Sequence, residues 1–209
     1  MIPLVDVKAQ YAPLIPALKE RIGEVVESGR FILGPNVAAF EEETAAYLGV
    51  PTTIGVANGT DALVLALDAM GIGEGDEVIC PSFTFYATPE AIVRRGATPV
   101  FADIDGATLN LDPEDVARRI TPRTKAIMPV HLFGRPAPLP ELAGLDIPIV
   151  EDAAQAFGAG RPKRWTGMIA FVLGVIRRAT SSGSRFRVAP SISAKTGVAP
   201  RRTIASGVA

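Results

Sequence analysis

Residues 148–160 read "PIVEDAAQAFGAG": the apolar run Ile147-Pro148-Ile149-Val150 ends in two carboxylates, Glu151 and Asp152, and then in a small-residue segment. An apolar run of this kind suits a strand covered on both faces, and acids at its mouth are costly unless something positive meets them. Working back from it, further strand candidates are "TTIGVA" (52–57), "EVIC" (77–80), "TPVFAD" (98–103) and "TKAIMPV" (124–130), with "IPIVED" (147–152) the last. Between them stand helix-like links, "TDALVLALDAM", "YATPEAIVRRG", "DPEDVARRI" and "PLPELAG". Strands separated by helices pair in parallel through right-handed crossovers, so the chain is an α/β domain with its sheet covered on both faces. Ahead of the alternation, "YAPLIPALKERIGEVVES" reads as a helix, and "NVAAFEEETAAYLG" follows, with Asn36 as its N-cap and Gly49 as its stop.

The 209 residues are 48% apolar and 21% charged, a globular composition with enough apolar surface for a core. No basic segment precedes an apolar one at the N-terminus, and "MIAFVLGVI" is too short to cross a bilayer, so the expectation is a cytoplasmic protein with no membrane partner. Cys80 is the single cysteine and sits in an apolar run, which excludes an intrachain disulfide or cysteine cluster and reads as core.

The net charge of -1 hides a break. All 22 acids lie at or before Asp152, and the 57 residues after it carry 10 Lys/Arg and no acid. At the earlier density roughly 8 acids would fall there. The arginines are scattered among Ala, Ser, Gly and Val without a helical stripe, a basic block or interleaved aromatics, so no nucleic-acid partner is expected.

Ligands in open α/β sheets sit at the carboxyl ends of the strands. Three segments meet there on this reading. In "ANGTDAL" (57–63) a strand passes through Asn58-Gly59-Thr60 into a helix, whose free N–H groups and dipole favour a phosphate, although capping alone explains the same residues. In "CPSFTFYAT" (80–88) aromatic faces follow a strand end and suit a planar ring or the core. In the opening segment Asp152 leaves its strand, and Gln155 follows one turn later if the chain bends into a helix. A phosphate cradle, an aromatic shelf and a carboxylate together suit the protonated heterocycle of pyridoxal phosphate. The glycines of "GIGEGDE" (71–77) lie between a helix and the next strand, the wrong side for a dinucleotide loop.

At this point the chain resembles the DegT/DnrJ/EryC1/StrS aminotransferases, pyridoxal-phosphate enzymes that mostly aminate nucleotide-linked keto-sugars. The motifs "FILGPNVAAFEEETAAYLG", "ANGTDALVLAL", "GDEVICPSFTFYATPEAI", "GATPVFADID", "PVHLFG" and "VEDAAQAFGA" resemble that family's signatures, in its order. The resemblance covers residues 1–160. It implies the large domain of a fold-type I transferase, α/β with a mainly parallel sheet and helices on both faces, truncated and without the small C-terminal domain. It further implies glutamate as amino donor, a homodimer, and roles at matching positions. Gly59 and Thr60 would hold the phosphate, Phe85 would stack on the pyridine ring, Asp152 would pair with the ring nitrogen, and Gln155 would approach the phenolic oxygen. Glu151 has no role by resemblance and reads as a local pairing partner; His131, the single histidine, reads as structural or pocket-lining.

The departure lies beyond "QAFGAG". The family's lysine segment, which carries the cofactor as a Schiff base, has no match in residues 161–209, where Lys163 and Lys195 stand in unrelated contexts. No catalytic residue is therefore assigned. An acid-free stretch of Arg, Ala, Ser and Gly is what out-of-frame translation of GC-rich DNA commonly gives, so the expectation is a frameshifted, poorly ordered tail, with a genuine divergent tail as the alternative, and an inactive copy of a sugar aminotransferase. The alternative is a non-catalytic protein of the same fold with a binding or regulatory role.

Overall fold

The computed structural model describes residues 6–159 and, by their backbone, residues 168–170. After a short helix α1 (Val7–Tyr11) and a 3-10 turn (Ala12–Leu14) come α2 (Ile15–Ser28) and α3 (Pro35–Leu48). The helix expected from residue 11 therefore starts later: Pro13 and Pro16 lack the N–H groups of a continuous helix, and the first turn tightens. Gly34 rather than Asn36 caps α3, because Pro35 fits the first helical position. Gly49 ends α3 in the left-handed conformation at φ 66°.

The alternating part follows as α4 (Gly59–Ala69), β1 (Glu77–Pro81), α5 (Ala87–Arg94), β2 (Thr98–Ala102), α6 (Pro113–Arg119), β3 (Thr124–Ile127), α7 (Leu139–Ala143), β4 (Val150–Asp152) and β5 (Met168–Ala170). The strand order β2-β1-β3 is continued to β4 by parallel bridges at Ile127–Ile149 and Val130–Asp152, and β4 pairs in parallel with β5. Every pairing between these strands is parallel.

Period-two alternation divides the core into two layers. Val78, Cys80, Ala126, Met128 and Val150 face α4 and α5 and pack against Ala62, Leu63, Ala66, Leu67, Ala91 and Ile92. Their neighbours Ile79, Ile127 and Ile149 face the other way, against Val116 of α6 and Leu142 of α7. Cys80 is fully buried, and burial pushes its thiol up to about 12, which leaves it inert.

Residues 52–57 do not form the expected strand. Among the described residues they pair with no other strand, and their polar groups turn to α3: the Thr53 hydroxyl donates to the Glu41 carbonyl at 2.6 Å and the Gly55 N–H to Glu41 Oε1 at 2.7 Å. Apolar alternation proposes a strand, but only a neighbouring backbone makes one.

Candidate functional site

The carboxyl ends of β1, β3 and β4 open on one side into a cleft of about 250 Å³. Gly59 and Thr60 of α4, Thr84 and Phe85 after β1, Val130 and Leu132 after β3, and Asp152, Ala154 and Gln155 after β4 all line it. All five residues expected at a site from the sequence are thus brought together. A larger hollow of about 510 Å³ lies along Gly29–Pro35, but its lining is apolar apart from Arg30 and it has no convergent polar groups. Polar side chains converge in the smaller cleft instead.

At the first edge, the Asn58 side chain accepts the Asp61 N–H at 2.9 Å and caps α4. The Gly59 and Thr60 N–H groups have no partner among the described residues and stand at the positive end of an 11-residue helix. Free N–H groups at a helix start are able to bind an anion. Thr60 adds a hydroxyl and Leu63 an apolar wall.

At the far edge Asp152 is 7% exposed. Its Oδ2 accepts the Thr88 hydroxyl at 3.0 Å and its Oδ1 the Ala154 N–H at 3.2 Å. Thr88 has spent its only proton, so the Thr84 hydroxyl, 3.0 Å away, donates to it. Burial raises the Asp152 carboxyl above the ordinary range, against these hydrogen bonds, which lower it. Among the described residues no Lys or Arg pairs with this buried acid at the strand mouth. Thr88, on α5, and Thr84, in the bend before it, escaped the sequence reading because a lone threonine carries no motif of its own; their position within "FTFYAT", close to a strand end, was the available signal.

Phe85 is 74% exposed at the mouth, an uncovered aromatic face. Gln155 reaches the cleft by a turn rather than the expected helical bend, since residues 153–159 form no helix. Its Oε1 accepts the Phe133 N–H at 2.8 Å. Its amide nitrogen meets no described partner, and the residue lines the cleft.

Glu151 and His131 lie on the opposite face from Asp152, as the alternation along β4 requires. They pair with each other, His131 Nε2 to Glu151 Oε2 at 3.1 Å, both essentially unexposed. The Gly71–Asp76 link sits at the amino end of β1, away from the cleft. Lys163 and Lys195 lie outside the described residues, and among the described residues no lysine lines the cleft. Among the described residues no group of acids, histidine or cysteine is arranged to hold a metal, and no helix is long and apolar enough to cross a membrane.

The cleft fits pyridoxal phosphate on its own chemistry. Its lining includes the helix start at Gly59 and Thr60, the buried acid of Asp152 with no Lys or Arg partner among the described residues, the exposed ring of Phe85, and Gln155. Comparison with known proteins agrees. A UDP-N-acetyl-3-dehydro-alpha-D-glucosamine 3-aminotransferase of Acidithiobacillus ferrooxidans is 48% identical over 162 residues, which cover 76% of this chain and 44% of that protein. The crystal structure of Streptomyces venezuelae DesV in complex with a ketimine intermediate aligns with a TM-score of 0.77 at 44% identity, covering 81% of this chain and 48% of that one. Bacillus subtilis NtdA, solved with bound cofactor PMP, aligns at TM-score 0.67 and 34% identity over 69% of this chain and 34% of its own. The chain thus spans less than half the length of each of these relatives. The profile of the DegT/DnrJ/EryC1/StrS aminotransferase family matches residues 15–172, most of the sequence, and the chain belongs to that family.

Proposed function

We propose that the cleft binds pyridoxal 5'-phosphate and that the protein's reaction class is amino transfer from an amino-acid donor, glutamate, to a nucleotide-linked keto-sugar in polysaccharide or secondary-metabolite biosynthesis. Asp152 carries this reading. When bound, the cofactor supplies a protonated ring that accepts the electron pair released as the donor's Cα–H bond breaks. The residues of this chain bind and orient it. Gly59 and Thr60 take the phosphate at the α4 N-terminus, and Phe85 covers the ring. Asp152, fixed by Thr88 and the Ala154 N–H, holds a proton on the ring nitrogen. Gln155 offers its amide hydrogens to the phenolic oxygen.

The reading extends to a cytoplasmic homodimer with neither nucleic acid nor membrane as partner. An apolar stripe on α2 supports the dimer: Ile15, Leu18, Ile22 and Val26 are 43–62% exposed and follow helical spacing. That no lysine among the described residues lines the cleft supports a second reading, a cofactor-binding protein without turnover. A lysine that moves the proton contributes about 10² to 10⁴-fold to rate, so turnover through the described residues alone is close to absent.

The test is titration with pyridoxal phosphate, borohydride reduction and mapping of labelled peptides by mass spectrometry, beside an assay of amino transfer from glutamate. Weak, saturable, reversible binding that is lost in Asp152→Ala is expected. Equal binding by wild type and Asp152→Ala refutes the cofactor site. Stoichiometric labelling of Lys163 or Lys195 with turnover excludes the non-catalytic reading.

A further inference from the structure

His131 is buried on the face of the sheet away from the cleft, yet its ring closes the loop that touches Gln155. The Ala137 N–H donates to His131 Nδ1 at 2.9 Å. A backbone N–H cannot accept, so Nδ1 presents a lone pair and the ring proton sits on Nε2, donated to Glu151 Oε2 at 3.1 Å. The ring therefore ties residue 131 to residue 137 and both to β4. The His131 backbone N–H adds a bond to the Asp152 carbonyl at 3.0 Å. From the other side Asn110 Nδ2 holds the Arg135 and Pro136 carbonyls, each at 3.3 Å.

Within this closed loop Phe133 has φ 55° and ψ 27°, left-handed values that a phenylalanine adopts only when its surroundings hold it there. That conformation accompanies the 2.8 Å bond from the Phe133 N–H to Gln155 Oε1. With the oxygen engaged, Gln155 cannot flip its amide without losing that bond, and its NH₂ group is the part left to donate elsewhere. Phe133 itself is 69% exposed, so apolar burial does not account for its backbone.

We propose that His131 is a positioning residue: its ring, clasped between Ala137 and Glu151, holds the 131–137 loop so that Phe133 fixes the Gln155 amide with its nitrogen toward the cofactor. This rests on the cofactor reading only for its consequence, since the clasp itself is a property of the ligand-free chain. His131 touches neither ligand nor cleft. It acts through Phe133 and Gln155.

The experiment is a double-mutant cycle of His131→Leu and Gln155→Ala in the full chain, with pyridoxamine phosphate as the probe because an amine forms no adduct with surface lysines. Each single variant is expected to weaken binding about tenfold, the loss of one charge-assisted hydrogen bond. The double variant should be no weaker than either single one. Losses that multiply to about a hundredfold show a merely structural His131 and overturn the proposal. If the leucine variant does not fold, the cycle is run with His131→Asn, whose shorter amide can serve only one of the two ring partners; its loss, too, should vanish in the Gln155→Ala background. Amide exchange of Phe133 in the ligand-free protein gives a second readout. Its N–H should exchange at least several-fold faster in either single variant. Should the wild type not bind pyridoxamine phosphate, the cofactor reading falls, and Phe133 exchange alone decides the clasp: faster exchange in the His131 variant supports it, and unchanged exchange refutes it.

Discussion

Asp152 shows what a site costs a fold. Burial raises its carboxyl above the ordinary aspartate range, so the native chain keeps a proton to a higher pH than the unfolded chain does. Across the interval from the ordinary value up to the raised one, stability falls as pH rises; below that interval the residue carries no such penalty. Asp152→Asn, which never ionises, should match the wild type in acid and exceed it at neutral pH in denaturant unfolding, while losing affinity for pyridoxamine phosphate. A stability difference independent of pH would contradict this. Gly158 is constrained in a different way. It stands at φ 75°, and a Cβ there would lie 3.1 Å from Tyr47 Cε1 and nearer still to the phenolic oxygen, beside the stacked Tyr47–Phe157 rings. Gly158→Ala combines a clash with a strained backbone and should cost about 1–3 kcal/mol in thermal or denaturant unfolding.

The decisive element is α4. Its start is fixed by Asn58, which accepts the Asp61 N–H, and its inner face by Ala62, Leu63, Ala66 and Leu67, all buried against the sheet. The same cap that ends the orphan donors at one position leaves Gly59 and Thr60 free for an anion. Asn58→Ala should destabilise the protein by about 1 kcal/mol, and Asn58→Ser, which keeps a cap acceptor without setting a second carboxylate against Asp61, should leave stability nearer wild type. Equal loss in both variants would place the role of Asn58 elsewhere than in the cap. The neighbouring segment 52–57 shows where periodicity misleads. Its apolar alternation is that of a strand, yet Thr53 and Gly55 bond to α3 and Ile54 is 48% exposed.

For the whole molecule, the two core layers explain why the alternating part of the sequence closes on itself, and α2 marks where it does not. No residue of α2 is buried, although a 14-residue helix is marginal in water without a packed face. Phe31, Ile32 and Leu33, exposed by 67%, 86% and 68%, continue the uncovered apolar surface along the adjoining loop. The chain should therefore self-associate through this surface, and Leu18→Glu with Ile22→Glu should shift its sedimentation toward the monomer without changing pyridoxamine phosphate affinity by more than about twofold. Sedimentation that is unchanged in the double variant would remove α2 from the interface.

The sequence by itself determined the parallel α/β order, because β-branched runs separated by amphipathic links admit few topologies, and it determined which strand ends converge on a site. Gly59, Thr60, Asp152 and Gln155 stood out because each sits just past a candidate strand or at a helix start, Phe85 was singled out from Phe83 and Tyr86 only by the family resemblance, and the structure brings all five to one cleft. Four other features were decided only by tertiary structure: that Thr88 fixes Asp152 from 64 residues away, that Glu151 turns from its neighbour to meet His131, that Gln155 arrives by a turn, and that residues 52–57 pair with no strand. Each depends on a partner distant in the chain, and a hydrogen bond is specified by where its partner lies in space, which no local pattern of residues encodes.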